Sequence, residues 1–218
     1  MRVLLISAAC IACCARPSFA QSERGYVNVG GGVAISSETT SGNVLGEVGM
    51  RVARNLFVFG DVGQFHNLQP SLVQPTIDAT AQALSSDGIA VTGTGRVPAL
   101  QLQGGVRYLI ATHAGAAPYV LGGVGLARLA PTAQFLYNSG TIVGVTPTPG
   151  DDVTSQLVAQ GDFTAPAATN AFMFTIGGGV EVPIAPRVSV DLGYRLSRIN
   201  SDTPVNAQSL IAGVGFRF

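Results

Sequence analysis

The chain has 218 residues, a formal net charge of zero and a mean hydropathy of +0.38. Charged residues make up 11% of it, whereas a soluble domain has about 25%. The balanced charge gives no basic patch and so no sign of a nucleic-acid partner. After residue 20, no uncharged apolar run reaches the length of about 18 residues that indicates a transmembrane helix. The apolar residues are instead interleaved with Gly and polar residues, which favours strands.

The chain begins with the pattern of a secretory signal peptide, predicted to cover residues 1–20. A positive charge at the second position precedes an apolar segment, residues 3–15, and small residues precede a predicted cleavage between Ala20 and Gln21. We therefore expect an exported mature chain of residues 21–218 that folds as one domain.

All three cysteines lie within this leader, at Cys10, Cys13 and Cys14. The mature chain is therefore expected to contain no disulfide, no thiol nucleophile and no cysteine metal site. The alternative is a lipoprotein signal, in which Cys10 is acylated and kept. The apolar stretch before Cys10 is only seven residues long, and this alternative leaves the segment "RPSFA" unexplained.

Eight later segments alternate between apolar residues and Gly or polar residues, the period of two that indicates β-strands. The pattern is clearest where Val190 and Leu192 face one way and Asp191 and Arg195 face the other. Each segment has roughly the 9–11 residues that a tilted transmembrane strand needs. In chain order the segments are 26–35, 43–53, 56–65, 99–110, 118–128, 172–182, 187–198 and 209–218.

The third segment departs from simple alternation. If Asp61 marks the polar face, then Phe57 and Phe59 lie on that face as well. We expect either a bulge in this strand or a barrel interior partly filled by aromatic rings.

The connections between the strands are short at one end and long at the other. Short turns are predicted near 53–55, 111–117 and 183–186, and long connections run over about 66–97 and 129–169. This asymmetry is typical of a transmembrane β-barrel whose long loops are extracellular. An even number of strands then places both termini at the periplasmic end.

Two segments inside the long loops, 88–97 and 135–150, are β-prone. We expect them to extend the barrel as hairpins above the membrane.

The alternating faces fit a barrel in lipid better than a soluble barrel, in which the apolar face points inward. A soluble barrel needs a charged exterior, about 25–35% of its surface, but the polar faces here carry mainly Gly, Ser, Gln and Thr. Phe172 and Phe174 at one level and Phe216 and Phe218 at the other match the aromatic girdles of a membrane barrel. The sequence predicts an all-β fold, an eight-stranded antiparallel up-and-down transmembrane β-barrel.

One or two charges per strand fall on the polar face, and acidic and basic residues are balanced there. A barrel of eight strands is just wide enough for side chains to fill its lumen, and buried charges must be paired. We therefore predict a packed, salt-bridged lumen without a wide pore, although charges lining an ion path are the alternative. The predicted network consists of Glu47, Arg51, Asp61, Arg107, Glu181, Asp191, Arg195 and Arg217.

Three segments resemble a known family: "APYVLGGVGLAR" at 117–128, "FTIGGGVEVPIAPRVSVDLGYRLSR" at 174–198 and the terminal "IAGVGFRF". They resemble the OmpA-type superfamily of small outer-membrane β-barrels, close to the opacity-like and porin-family surface proteins. The resemblance covers most of 24–218 outside the two long loops. It implies a place among outer-membrane lipid and lipopolysaccharide, and insertion by the barrel-assembly machinery. That machinery recognises a C-terminal aromatic residue, a feature that Phe218 matches.

Catalytic and metal-binding residues are not predicted. His66 and His113 are expected at opposite ends of the barrel, too far apart to share a metal ion. A lipid A deacylase needs His, Ser and an acid together, but His66 begins no His-x-Ser run and the nearest downstream serine is Ser71. The loop carboxylates could bind Ca²⁺, but without a recognisable spacing they are expected to be solvated loop charges. They are Asp78, Asp87, Asp151, Asp152 and Asp162.

The leading functional hypothesis is a non-enzymatic, monomeric surface barrel without a cofactor. It would support the envelope or bind an unknown surface ligand through its outer loops. The second is a narrow porin-like channel for small solutes, and the third is an envelope enzyme that modifies lipid A.

Overall fold

The computed structural model describes residues 24–112 and 115–218. Within this part, no helix has both the length and the apolar character needed to cross a membrane. The strands are β1 (Gly25–Ile35), β2 (Thr40–Ala53), β3 (Leu56–Phe65), β4 (Ala90–Arg96), β5 (Ala99–Leu109), β6 (Ala117–Leu129), β7 (Thr132–Ser139), β8 (Thr169–Ala185), β9 (Val188–Asn200) and β10 (Val205–Arg217). Two helices, α1 (Gln74–Ser86) and α2 (Thr154–Gln160), lie between them, and a short 3₁₀ turn spans Pro70–Leu72.

In the described residues, eight of these strands form one closed antiparallel barrel in the order β1-β10-β9-β8-β6-β5-β3-β2. Closure is made by β1 and β10, where Val27 pairs with Phe216. Closure removes the edge strands, so the ladder satisfies the backbone N–H and C=O groups, as hydrocarbon surroundings require. The predicted eight-stranded up-and-down barrel is confirmed.

The two ends of the barrel differ. At the turn end, β2 joins β3, β5 joins β6 and β8 joins β9 through connections of two to seven residues, and β1 begins and β10 ends there. At the loop end, residues 66–98 connect β3 to β5 and residues 130–168 connect β6 to β8. We call these two long connections together the loop cap.

Alternate side chains of each barrel strand face the lumen and the exterior. Val29, Leu102 and Val214 are more than half exposed on the outer wall, whereas Asp61 and Arg107 are buried inside. This period of two is what the sequence predicts, because successive strand side chains point to opposite faces.

For β3 the sequence offered two explanations of the irregular alternation, a bulge or aromatic rings in the lumen. The structure shows aromatic rings in the lumen. The ladder between β2 and β3 is regular from Asn43 to Arg51, and Phe57 and Phe59 lie buried inside with Asp61. The one irregularity in this ladder falls between Arg51 and Ala53, at the turn end.

The loop cap is folded rather than irregular. β4 and β7 pair with each other, from Arg96 opposite Thr132 onward, and so continue the β5–β6 ladder beyond the barrel. The sequence predicted that the β-prone segments of these loops extend the barrel as hairpins. The structure instead makes one ribbon from both loops, because β5 and β6 already hold the starts of β4 and β7 side by side.

Helix α1 covers one face of this ribbon. A side chain at Gly93 would meet Ile77, and one at Gly95 would meet Val73 and Ile77. The absence of side chains at these glycines lets the helix approach the strand closely. The sequence analysis did not predict α1.

A single apolar core joins the loop cap to the loop-end half of the lumen. Leu68, Ile77 and Leu157 are buried in the cap, and Phe135 packs edge-on against Phe163 at 5.0 Å between ring centroids. The same core includes the lumen residues Ala34, Phe65, Ala99, Ala127, Leu129, Ala171, Met173, Ile199, Val205 and Ala207. The cap is therefore packed onto the barrel mouth as part of the same folded unit.

Candidate functional site: the charged lumen

Arg107 of β5 lies at the centre of the turn-end half of the lumen. Its guanidinium contacts carboxylates from three other strands: Glu47 at 3.2 Å, Glu181 at 3.3 Å and Asp191 at 2.6 Å. With its side chain only 2% exposed, Arg107 is among the largest fully buried residues. Its planar fork of five donors can serve several carboxylates at once, which a lysine ammonium does less well.

A second guanidinium, that of Arg195 on β9, lies on the other side of Glu47. It donates to Asp61 at 2.7 Å and also to Glu47. Gln103 completes this part of the site by donating to Asp61 at 2.7 Å. Glu47 therefore bridges the two arginines, and β2, β3, β5 and β9 are joined through side chains across the lumen.

The network continues to the turn end through Glu181 of β8. This carboxylate accepts from the Arg217 side chain at 2.9 Å and from the Ser189 hydroxyl. The predicted residue Arg51 does not join: within the described residues it makes no ion pair, and its guanidinium lies 5.3 Å from the centre of the Phe57 ring. A cation over an aromatic face is an alternative way to hold a charge at the edge of a lumen.

Two tyrosines pack against the central guanidinium. Arg107 lies 3.6 Å from the centre of the Tyr119 ring and 5.1 Å from that of Tyr26. The Tyr119 hydroxyl donates to Asp191 at 2.7 Å, and the Tyr26 hydroxyl donates to Glu47. The sequence analysis missed both tyrosines, although each falls on the lumen face of its strand.

Glycines on neighbouring strands make room for these rings. A side chain at Gly49 would overlap the Tyr26 ring, and one at Gly179 or Gly193 would meet the Tyr119 hydroxyl. Each of these lumen glycines therefore leaves space for a tyrosine ring that another strand contributes.

Four carboxylates face three arginines in the ion-paired part of the described lumen. An unpaired charge buried away from water costs several kcal/mol, so such groups are retained only when they are paired and hydrogen-bonded. Here every carboxylate has a guanidinium within 3.3 Å. The arrangement can hold the strands in register, and it leaves little free space. A cavity of about 10 Å³ lies beside Tyr26, Phe57 and Arg107, which is room for roughly one water molecule.

Towards the loop end the lumen becomes polar and then apolar. A polar layer follows the charges, in which Thr175 and Ser197 share a hydrogen bond of 2.9 Å and Asn43, Gln101 and Ser209 are buried. The apolar core that joins the loop cap then fills the mouth.

The other predicted positions lie apart from this network. Phe218 is 54% exposed on the outer wall at the turn end, and its backbone carbonyl accepts from Arg24 and Gly25. Ala20, Gln21 and His113 lie outside the described residues. The role of Phe218 in assembly and the cleavage site remain predictions.

His66 and Ser71 do not form a catalytic pair in the described structure. The Ser71 hydroxyl donates to Glu38, and His66 is exposed on the outer wall, just beyond the end of β3. Among the described residues, no group of three or more His, Cys, Asp or Glu side chains is arranged to hold a metal ion.

Two loop carboxylates are engaged by nearby threonines. Asp151 accepts from the backbone amide and hydroxyl of Thr148, which lowers the pKa of Asp151. Asp152 accepts from the hydroxyl and backbone amide of Thr154, which lowers the pKa of Asp152 in the same way. These bonds shape the turn before α2 and keep both carboxylates at the surface of the loop cap.

A closed antiparallel barrel with an apolar exterior and a charged, paired interior defines a transmembrane β-barrel of the outer-membrane class. The chain matches the family described as outer membrane protein beta-barrel domain over residues 6–218, and it belongs to that family. It is accordingly an outer-membrane barrel of the kind found in Gram-negative bacteria.

Several solved structures are similar to this chain at low sequence identity. Neisserial surface protein A is 18% identical with a TM-score of 0.53, over 90% of this chain and 97% of that one. The N-terminal β-barrel domain of Pseudomonas aeruginosa OprF is 12% identical with a TM-score of 0.45, over 90% and 100% of the two chains. The outer membrane enzyme PagL is 14% identical with a TM-score of 0.45, over 85% and 97%. A comparison with curated proteins found no match.

Proposed function

We propose that this protein is a non-conducting, non-enzymatic outer-membrane barrel that displays its folded loop cap at the cell surface, in a structural or surface-interaction role. The observation that carries the proposal is the filling of the lumen in both halves. Paired charges occupy the turn-end half, and an apolar core continuous with the cap occupies the loop-end half.

Conductance in planar lipid bilayers tests the closed lumen. The purified barrel is expected to insert without discrete current steps, while a general porin in the same bilayer gives nanosiemens steps. Heat-modifiable gel migration of the recovered protein checks that the barrel has inserted in its folded form, as the porin has. Reproducible steps from the wild-type barrel would overturn the proposal.

The proposed orientation puts the loop end outside the cell and the turn end, with both termini, in the periplasm. The predicted mature chain has no cysteine, so single cysteines can report accessibility without background. We expect Thr146→Cys, exposed in the loop cap, to react with a membrane-impermeant maleimide in intact cells. Arg54→Cys, exposed in the β2–β3 turn, is expected to react only after the outer membrane is opened. The reverse labelling pattern would contradict the orientation.

One observation favours the second candidate, a narrow porin-like channel for small solutes. The side-chain oxygens of Asn43, Gln101 and Ser209 are buried without a hydrogen-bond partner in the described residues. Buried polar atoms of this kind are commonly bridged by internal water. The bilayer recording decides between the two candidates. The enzyme hypothesis predicts a changed lipid A mass spectrum in a deletion strain, and we expect that spectrum to be unchanged.

A further inference from the structure

The outer wall carries a groove where β1, β2 and β3 approach the loop end. Gly31, Gly42, Val44, Gln64 and His66 line it, and its volume is about 390 Å³. Small-molecule sites in proteins occupy about 300–1,000 Å³. The groove faces outward, on the same surface as the exposed valines of the membrane wall, and it is separate from the charged lumen.

Glycines on outward-facing positions form the floor of this groove. A side chain at Gly42 would meet no atom within 4 Å, and one at Gly31 would come no closer than 3.4 Å to Asn43. These glycines are therefore not required by packing, unlike Gly49, where a side chain would overlap Tyr26. The sidewalls are apolar, because Val33 and Val44 are 44% and 59% exposed.

Two polar side chains lie at the loop-end rim. The backbone N–H of His66 donates to the carbonyl of Gly42, and Gln64 is paired with Val44, so both outward-facing side chains lie beside the glycine floor. Neither side chain makes a hydrogen bond in the described residues. An imidazole offers an N–H donor in either protonation state, and a carboxamide offers two donors. Donors at the edge of an apolar wall are suited to a phosphate or ester oxygen.

The groove lies at the loop end of the outer wall. On β2 its lining runs from Gly42 to Val44, two residues along the strand, which is about 7 Å at the rise of a strand. Gly46 is the next outward-facing residue of β2, and a side chain there would meet no atom within 4 Å. The groove is therefore short, and it continues into the lipid-facing wall towards the middle of the barrel.

We propose that this groove binds one acyl chain of a phosphate-bearing membrane lipid, with His66 and Gln64 donating hydrogen bonds to its headgroup. The chain lies over Gly42, between Val33 and Val44. A lipid is the occupant because the groove is continuous with the lipid-facing wall, with exposed valines beside it and two side-chain donors at its loop-end rim. The proposal does not depend on which side of the membrane the loop end faces.

Retention of lipid by the detergent-purified barrel tests the site, with native mass spectrometry as the readout and dimyristoylphosphatidylglycerol as the probe. We expect the wild type to retain one lipid and Gly42→Leu, which fills the groove, to lose it. Gly122→Leu is the matched control, because it adds the same side chain to an outward-facing glycine of β6 where a Cβ would meet only Thr175 at 4.0 Å. It is expected to retain lipid as the wild type does, and heat-modifiable migration shows that both variants fold.

The headgroup contact is tested by His66→Ala. Loss of a hydrogen bond to a charged group is expected to weaken retention of dimyristoylphosphatidylglycerol about tenfold and to leave retention of uncharged dimyristoylglycerol unchanged. Equal retention by Gly42→Leu and the wild type would overturn the proposal, as would equal loss in Gly122→Leu. Displacement by glycerol phosphate alone would show a phosphate site without an acyl chain. A dimer that Gly42→Leu abolishes would show that the groove is filled by a second copy.

Discussion

Arg107 illustrates how a charge is kept inside a membrane barrel. Its guanidinium is shared among Glu47, Glu181 and Asp191, and two tyrosine rings pack against it. Each contact comes from a different strand, so the side chain joins parts of the barrel that are distant in sequence. Replacing Arg107 removes three ion pairs and leaves the buried Asp191 carboxylate without a guanidinium partner. Glu47 and Glu181 each lose one of their two guanidinium partners.

We expect Arg107→Met to lower the free energy of unfolding by about 3–5 kcal/mol, which is the cost of removing one partner of a buried ion pair. The measurement is urea unfolding in lipid vesicles, followed by circular dichroism or gel migration. The control Arg198→Met alters an exposed arginine that hydrogen-bonds to Asn200 and makes no ion pair among the described residues, and it should change stability by no more than about 0.5 kcal/mol. Equal effects of the two substitutions would show that the central network adds no stability.

The stability of the turn at Asp152 is expected to depend on pH. Its folded pKa lies below the ordinary value of 3.8 because Thr154 donates two hydrogen bonds to it. The carboxylate therefore stabilises the turn above its unfolded pKa, and this contribution is lost as pH falls through the folded pKa, below about pH 4. In an NMR titration, Thr154→Val should raise the pKa of Asp152 towards 3.8. No change in this pKa would mean that the Thr154 hydroxyl does not engage the carboxylate in solution.

At the scale of elements, the loop cap depends on the contact between α1 and β4. The helix lies against Gly93 and Gly95, and the Gln74 side chain bonds the free edge of β4 at the amide of Gly95 and the carbonyl of Gly93. Covering an edge in this way prevents a foreign strand from pairing with it.

We expect Gly93→Val to displace α1, because its Cβ would lie 2.1 Å from Ile77, and to expose the loop cap to protease. The barrel itself should still show heat-modifiable migration, since its ladders are not touched. Thr94→Val, on the exposed face of the same strand, is the matched control and should resist protease like the wild type. Equal resistance of Gly93→Val would show that the cap can accommodate the side chain.

For the whole molecule, assembly in the membrane is predicted to depend on the terminal residue. Phe216 and Phe218 both point outward from the end of the chain and are 47% and 54% exposed. They present similar apolar surfaces to lipid, so they can be compared directly.

We expect Phe218→Ala to reduce the folded fraction in outer membranes and to increase unfolded protein in the periplasm, because the terminal aromatic is the predicted assembly signal. Phe216→Ala removes a similar surface and keeps that signal, so it should assemble nearly normally. Membrane fractionation with gel migration measures both. Equal loss in the two variants would assign the effect to lost lipid contact.

Much of this architecture could be predicted from residue patterns. The alternation of Val190, Asp191, Leu192 and Arg195 determines which face meets lipid, because a strand sends successive side chains to opposite sides. Seven of the eight residues predicted for the lumen network do meet there, because alternation places them on the lumen face and barrel closure brings their strands around one lumen. Helix α1 was missed because its segment, rich in Ala, Thr, Ser and Gln, resembles a polar loop.

The sequence by itself determined the strands, their two faces and the sign of each lumen charge, because these follow from local periodicity. The tertiary structure alone decided that Arg107 takes three carboxylates while Arg51 takes a phenyl ring, because register sets which side chains share a level. It also decided that the two long loops fold together as one cap. The segments of β4 and β7 are far apart in the chain, and only the closed barrel brings their starting points together.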